Sequence, residues 1–314
     1  MNHTPQFTSE TSSDTVSAHP SLTARTALVL GGGGSTGNAW LIGVLAGLFD
    51  AGRDVTTADL IIGTSAGATA AAQLGGATPT GLLADILAAA PQPRTGAPGS
   101  DRGGASARPV VDHMERMRAI IASAGDAAEL RRRSGAAALE RDAAADGTWQ
   151  AQWRATVASR LPSEHWPRRR TLITAVDART GDPVVFDRDS GVELVDAVAA
   201  SCSSGLPYRI GDALYIDGGY RANAENADLA DGYERVLVLS PFGGRALTPV
   251  EWGTHLATQL DELRSRGSSV ETIVPGSDSE HLFGVNAMDP SLRPPAARAG
   301  YEQGRAFAER LGEF

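Results

Sequence analysis

The chain has 314 residues, is 42% hydrophobic and carries a formal net charge of −9, so it can bury a large core but offers no basic face to a nucleic acid. The same acidity weakens attraction to anionic lipid. All 28 basic side chains of the Lys and Arg type are arginine, and the lack of lysine excludes Walker A phosphate loops, Schiff-base and pyridoxal-phosphate enzymes, Ser-x-x-Lys acylases and protein kinases.

Residues 1–24 are polar and rich in Ser and Thr, and read as a disordered tail. They have neither the basic start nor the apolar core of a secretory signal. The longest nearly apolar run, Ala39 to Phe49, is too short to span a bilayer, so a cytoplasmic location is expected. Ala27–Leu30 reads as a buried strand and Asn38–Ala51 as a helix that is apolar almost all round. Gly43 and Gly47 share one face of that helix and would admit a close neighbour. Leu60–Ile62 is a second short strand, and Ser65–Gly75 a helix of small residues ended by glycines. The two small-residue helices are expected to pack on each other.

Pro91–Pro109 reads as a loop, and Val110–Leu161 as helical with charged faces. Leu172–Val176 and Val184–Phe186 are strands joined by a turn, Val192–Ala200 a helix and Ala213–Ile216 a strand that runs into a loop. Val236–Leu239, Pro249–Arg266, Val270–Val274 and Pro295–Leu311 follow as strand, helix, strand and helix. This alternation predicts an α/β fold, a three-layer αβα sandwich around a mostly parallel sheet, with residues 25–314 as one domain. Residues 78–166 are expected to form a helical and loop insertion that caps the site. Ligands of such sheets sit beyond the carboxyl ends of the strands, where the loops after the first, second and Ala213 strands should meet.

Those three loops carry the chemistry. In "GTSAG", Ser65 lies between Gly63 and Gly67 and is followed by Ala66, after a strand and before a helix. That context suits a nucleophile elbow, in which larger side chains two positions away would collide with backbone. "GGGGSTG", Gly31 to Gly37, can aim successive N–H groups at one point, as an oxyanion hole requires. The same residues read as Gly32-x-Gly34-x-x-Gly37, a dinucleotide fingerprint, but the second strand lacks the acid that such a site places about 20 residues on. "DGG" sets Asp217 at a strand tip before Gly218 and Gly219, where a carboxylate can approach a serine as general base. Of the six histidines, none in a metal-ligand spacing, only His281 is placed to compete as the base of a triad. A single cysteine, Cys202, precludes an intrachain disulfide and reads as a small buried residue. No metal and no cofactor are expected. An oxidoreductase and a catalytically silent interaction protein stand as alternatives to a hydrolase.

Taken together, the glycine loop, Gly-x-Ser-x-Gly and Asp-Gly-Gly, in this order, resemble the patatin-like phospholipase family over roughly Ala27 to Leu229. The resemblance implies a serine acyl hydrolase acting on carboxylic esters, with lipid acyl esters as the substrate class. It implies Ser65 as nucleophile, Asp217 as its base in a dyad without histidine, and Gly32, Gly33 and Gly34 as oxyanion donors. It leaves room for transient contact with a membrane or micelle surface. Two positions depart from the pattern: Thr36 stands where many members have Arg or Lys, and "YRANAENADLA" where many have Asn-x-Pro after Asp-Gly-Gly.

Overall fold

The structure is a computed structural model that describes residues 24–89, 108–145 and 147–311. Most of the expected Pro91–Pro109 loop lies outside the described residues, as do all but one residue of the N-terminal tail.

Five strands run parallel in the order β3 (Arg170–Asp177), β2 (Leu60–Gly63), β1 (Thr26–Leu30), β7 (Arg235–Leu239), β8 (Ser269–Ile273). Three more, β4 (Pro183–Phe186), β5 (Tyr208–Ile210) and β6 (Ala213–Asp217), are antiparallel additions beside β3. The sheet is therefore mixed, with eight strands. Alternate residues of β1 serve opposite layers, as the period of a strand requires. Leu28 and Leu30 join α1 (Gly34–Asp50), α3 (Pro79–Ala88) and α9 (Arg293–Ala308), whereas Ala27 and Val29 join Leu256, Leu260 and Leu263 of α8 (Leu256–Ser265). A third cluster packs Ile173 and Ala175 of β3 against α2 (Ala66–Leu74), α6 (Trp149–Ala158) and α7 (Leu194–Ser201). This is the three-layer arrangement that alternation of strands and helices predicts.

Helix α1 packs on α2 as expected, with the Asn38 amide nitrogen donating to the Ala66 carbonyl and to Gln73 Oε1, but the Gly43 and Gly47 face of α1 takes no part in this contact. That face meets α9, and the fit is reciprocal. A Cβ on Gly43 or Gly47 would stand 2.1 Å from the carbonyl oxygens of Ala297 and Tyr301. A Cβ on Gly300 or Gly304 of α9 would stand 2.3 or 2.2 Å from those of Trp40 and Val44. Two glycine pairs, one on each helix, thus set a backbone-to-backbone contact.

The insertion between the halves of the chain is built into the core at both ends. Leu82, Leu83 and Ile86 of α3 enter the cluster around α1, and Val157 of α6 enters the cluster around α7. Between them lie α4 (Arg108–Ser123) and α5 (Ala127–Ala143). In α5, a Cβ on Gly135 would fall 2.1 Å from the Ala178 carbonyl oxygen, so this helix sits directly on the end of β3. The expected Pro249–Arg266 helix is shorter than its apolar pattern suggested: Gly253, at φ 67°, takes the left-handed conformation and stops a 3-10 turn before α8 begins at Leu256.

Candidate active site

The chain leaves β2 at Gly63, passes Thr64 and turns at Ser65 into α2. Ser65 has φ 53° and ψ −111°, a strained conformation for a residue with a side chain. The strain is held by bonds on both sides of the peptide. The Ser65 N–H donates to Ser201 Oγ at 2.9 Å, Cys202 Sγ donates to the Ser65 carbonyl at 3.1 Å, and Gly67 N–H closes the turn on the Thr64 carbonyl at 2.8 Å. Small neighbours are obligatory here. A Cβ on Gly67 would lie 1.8 Å from the Leu30 carbonyl oxygen, and one on Gly63 would lie 2.7 Å from Ala68 Cα.

Strand register brings Asp217 to this turn. Gly63 is opposite Ile173 on β3, and Asp217 is opposite Ala175, two residues further on. Since β4 occupies the other edge of β3 at both positions, β6 takes over the edge that β2 gives up at the elbow. Asp217 thus arrives on an antiparallel strand, not at the tip of a parallel one. Its carboxyl group is buried, at 8% exposure, accepts from the Gly219 N–H at 2.8 Å and lies beside the Ser65 hydroxyl. Burial outweighs the opposing effect of both groups and pushes its pKa up to about 6. Gly218 has no room for a side chain, because a Cβ would stand 2.1 Å from Thr174 Oγ1.

The glycine loop comes in from β1. Two of its N–H groups are already engaged, Gly31 with the Leu239 carbonyl at 3.0 Å and Gly32 with the Ala224 carbonyl at 2.8 Å. A Cβ on Gly32 would lie 3.6 Å from Ser65 Cβ, so this residue abuts the serine while its N–H points elsewhere. The N–H groups of Gly33 and Gly34, which open α1, have no partner among the described residues. Gly34 is left-handed at φ 66°, and a Cβ on Gly33 would collide with Pro241 at 2.6 Å. Gly37 N–H donates to the Gly33 carbonyl at 3.0 Å. Thr36 is fully buried and ties its N–H to the Ala287 carbonyl at 3.0 Å.

His281 is exposed and its Nδ1 pairs with the Asp278 carbonyl at 3.0 Å, within its own loop. The dinucleotide reading of Gly32, Gly34 and Gly37 finds Thr64 and Ser65 at the tip of β2, with no acid to hold a ribose. Among the described residues, no group of three His, Cys, Asp or Glu side chains is placed to hold a metal ion, and no helix is long and apolar enough to cross a membrane.

A family model described as patatin-like phospholipase matches residues 28–230, which span the glycine loop, the elbow and the Asp-Gly-Gly segment. The chain belongs to the patatin-like phospholipase family. Its eight-stranded mixed sheet flanked by helices is the patatin fold. Among solved structures, VipD from Legionella pneumophila is similar at 14% identity and a TM-score of 0.46, with 91% of this chain and 67% of that one covered. Full-length ExoU from Pseudomonas aeruginosa, in complex with SpcU, is similar at 17% identity and a TM-score of 0.39, with 91% and 52% covered. The patatin-like chain thus spans about half the length of ExoU. No curated protein matches it.

The patatin-like site holds residues that no motif announced. Asn226, left-handed at φ 56°, sends its amide nitrogen to Thr64 Oγ1 at 3.0 Å and to the Gly218 carbonyl at 3.0 Å. It thereby ties the elbow to the Asp-Gly-Gly turn. Thr64 and Thr174 share a buried hydroxyl contact of 2.9 Å beside it. Asn223 Oδ1 accepts from the N–H groups of Glu225 and Asn226 at 2.8 and 2.6 Å and shapes the loop that follows Asp217. Glu225 is buried under Gly31, takes the Ser240 hydroxyl at 2.6 Å, and is held above the usual carboxylate range by desolvation. The segment that departs from Asn-x-Pro is therefore braced by its own two asparagines. Asparagine tolerance of the left-handed region was the one readable hint.

Proposed function

We propose that this protein is a serine acyl hydrolase that cleaves carboxylic esters of lipids, with Ser65 as nucleophile and Asp217 as general base. Membership of the patatin-like phospholipase family supports lipid acyl hydrolysis as the class of reaction. The observation that carries the assignment of roles is a strained Ser65 whose hydroxyl lies beside a buried Asp217 carboxyl that forms no ion pair among the described residues.

Ser65 Oγ attacks the ester carbonyl carbon, and its proton passes to Asp217. A pKa near 6 leaves the carboxylate ionised at neutral pH yet more basic than an exposed aspartate. The carbonyl oxygen becomes an oxyanion and accepts from the N–H groups of Gly33 and Gly34, which also stand at the positive end of α1. Gly32 then acts through shape, since its own N–H is committed to Ala224. Collapse of the tetrahedral adduct breaks the C–O bond, and Asp217 returns the proton to the leaving alcohol. Water attacks the acyl-serine in a second round, gives its proton to Asp217 and releases the acid, with the proton restored to Ser65.

Labelling with a fluorophosphonate probe, followed by peptide mass mapping, tests the reading. A single adduct on Ser65 is expected, together with loss of ester hydrolysis in Ser65→Ala. Normal turnover by that variant would reject it.

A further inference from the structure

Arg293 opens α9 and lies beyond the residues that the family model matches. Its guanidinium donates from Nη1 to the Ser35 carbonyl at 2.8 Å and to Ser35 Oγ at 3.3 Å, and from Nη2 to Asn38 Oδ1 at 3.1 Å. The amide nitrogen of Asn38 continues the path, donating to the Ala66 carbonyl at 3.4 Å and to Gln73 Oε1 at 3.0 Å. One side chain from the C-terminal helix therefore joins the first turn of α1, which presents the unpaired N–H groups of Gly33 and Gly34, to the residue that follows Ser65.

The charge of Arg293 is the second observation. It forms no ion pair with a carboxylate among the described residues, although its partners place it mostly within the protein. Burial first, and the like charge of Arg160 second, push its pKa down to about 10, which still leaves it cationic at neutral pH. It also stands at the positive end of α1, where another positive charge is unfavourable. A part-buried cation without a counter-charge is less well stabilised in the resting protein. That deficit falls when negative charge forms nearby. In the chemistry proposed above, that charge is the oxyanion at Gly33 and Gly34, and Gly31 to Gly37 contain no basic residue of their own.

We propose that Arg293 is a positioning residue for the glycine loop that also supplies, from outside the loop, the positive charge facing the oxyanion. This inference rests on the reading of Ser65 and the glycine loop given above. It makes the C-terminal helix part of the reaction centre: the glycine contacts between α1 and α9 fix where the guanidinium stands.

The test uses the full chain with Arg293→Gln, Arg293→Met and Arg293→Lys, and reads kcat and KM separately on p-nitrophenyl butyrate. The rate of Ser65 phosphonylation by a fluorophosphonate, whose oxygen occupies the same hole, is measured alongside. Gln and Met should lower kcat and the phosphonylation rate by about 30-fold or more while KM changes less than about threefold. Lys, which keeps the charge, should recover at least about tenfold over Gln. A packing role would rank Met above Lys and would show in Tm, not in kcat. If Met does not fold, Gln against Lys still decides. Wild-type kcat in Arg293→Gln, or Lys no better than Gln, would overturn the proposal. Full turnover by Ser65→Ala would overturn the underlying reading, and this inference with it.

Discussion

Replacement of Asn226 by alanine probes the link between the proposed nucleophile and its proposed base. Its side chain is fully buried and makes bonds of 3.0 Å to Thr64 Oγ1 and 3.0 Å to the Gly218 carbonyl. Alanine removes both, together with a 3.2 Å bond from Arg221 Nη1, which keeps its pairing with Asp228 at 2.9 Å. Thr64 keeps its 2.9 Å contact with Thr174, and the Gly218 carbonyl keeps the Arg221 N–H at 3.1 Å. Two buried hydrogen bonds at about 1–1.5 kcal/mol each give a loss of about 2–3 kcal/mol. The backbone at φ 56° adds about 1 kcal/mol for alanine, because asparagine tolerates the left-handed region better. Asn226→Gly loses the same bonds without that strain. Urea unfolding should therefore show Asn226→Ala less stable by about 3–4 kcal/mol and Asn226→Gly by about 2–3 kcal/mol. With Gly218 no longer tied to Thr64, kcat/KM should fall by about 10–100-fold in both variants, as a small misplacement of a base allows. Stability of Asn226→Ala within about 0.5 kcal/mol of wild type, the range of a neutral surface change, would refute the reasoning.

Two further outcomes follow from the site. Since Asp217 must be ionised to accept a proton and burial raises its pKa to about 6, kcat/KM should fall as pH drops through about 6; a profile flat down to pH about 4.5, near an ordinary carboxyl pKa, would contradict a raised Asp217 as the base. Cys202 donates its Sγ–H to the Ser65 carbonyl, and burial pushes its pKa up to about 12, so it should resist iodoacetamide at neutral pH with hydrolysis unaffected. Rapid alkylation in the folded protein would show a thiol far more acidic than its surroundings allow.

The strand, elbow and glycine-loop sequence was readable because each rests on local pattern. Ala27–Leu30 and Leu60–Ile62 are short apolar runs between glycines and polar residues, and Gly63 and Gly67 mark where only hydrogen fits. What local pattern does not carry is partner choice. Gly43 and Gly47 announce a close approach without saying that α9 makes it, because the answering Gly300 and Gly304 lie some 250 positions away. The alternation of elements suggested a parallel strand for Asp217, whereas Tyr208–Ile210 forms a hairpin with Ala213–Asp217 and turns it antiparallel. That strand is three residues long and ends in a glycine turn, too little for a period to show. The glycine loop was legible as a strand-to-helix turn, but the engagement of the Gly32 N–H depends on Ala224, a residue of no distinctive type. Asn226, Ser201 and Arg293 are ordinary polar residues in the sequence, and only the fold places them against the site.

The dyad itself is tested most directly by setting Asp217 against His281. In a triad the imidazole takes the serine proton, whereas in a dyad the carboxylate must take it. Asp217 is buried beside Ser65, and His281 faces solvent in its own loop. With kcat/KM measured on one soluble ester and circular dichroism confirming the fold, Asp217→Asn should retain under about 1% of activity, a barrier rise of at least ~2.7 kcal/mol. His281→Ala should lose less than about tenfold, under ~1.4 kcal/mol. A His281→Ala variant as inactive as Ser65→Ala, or an Asp217→Asn variant near wild type, would contradict the dyad.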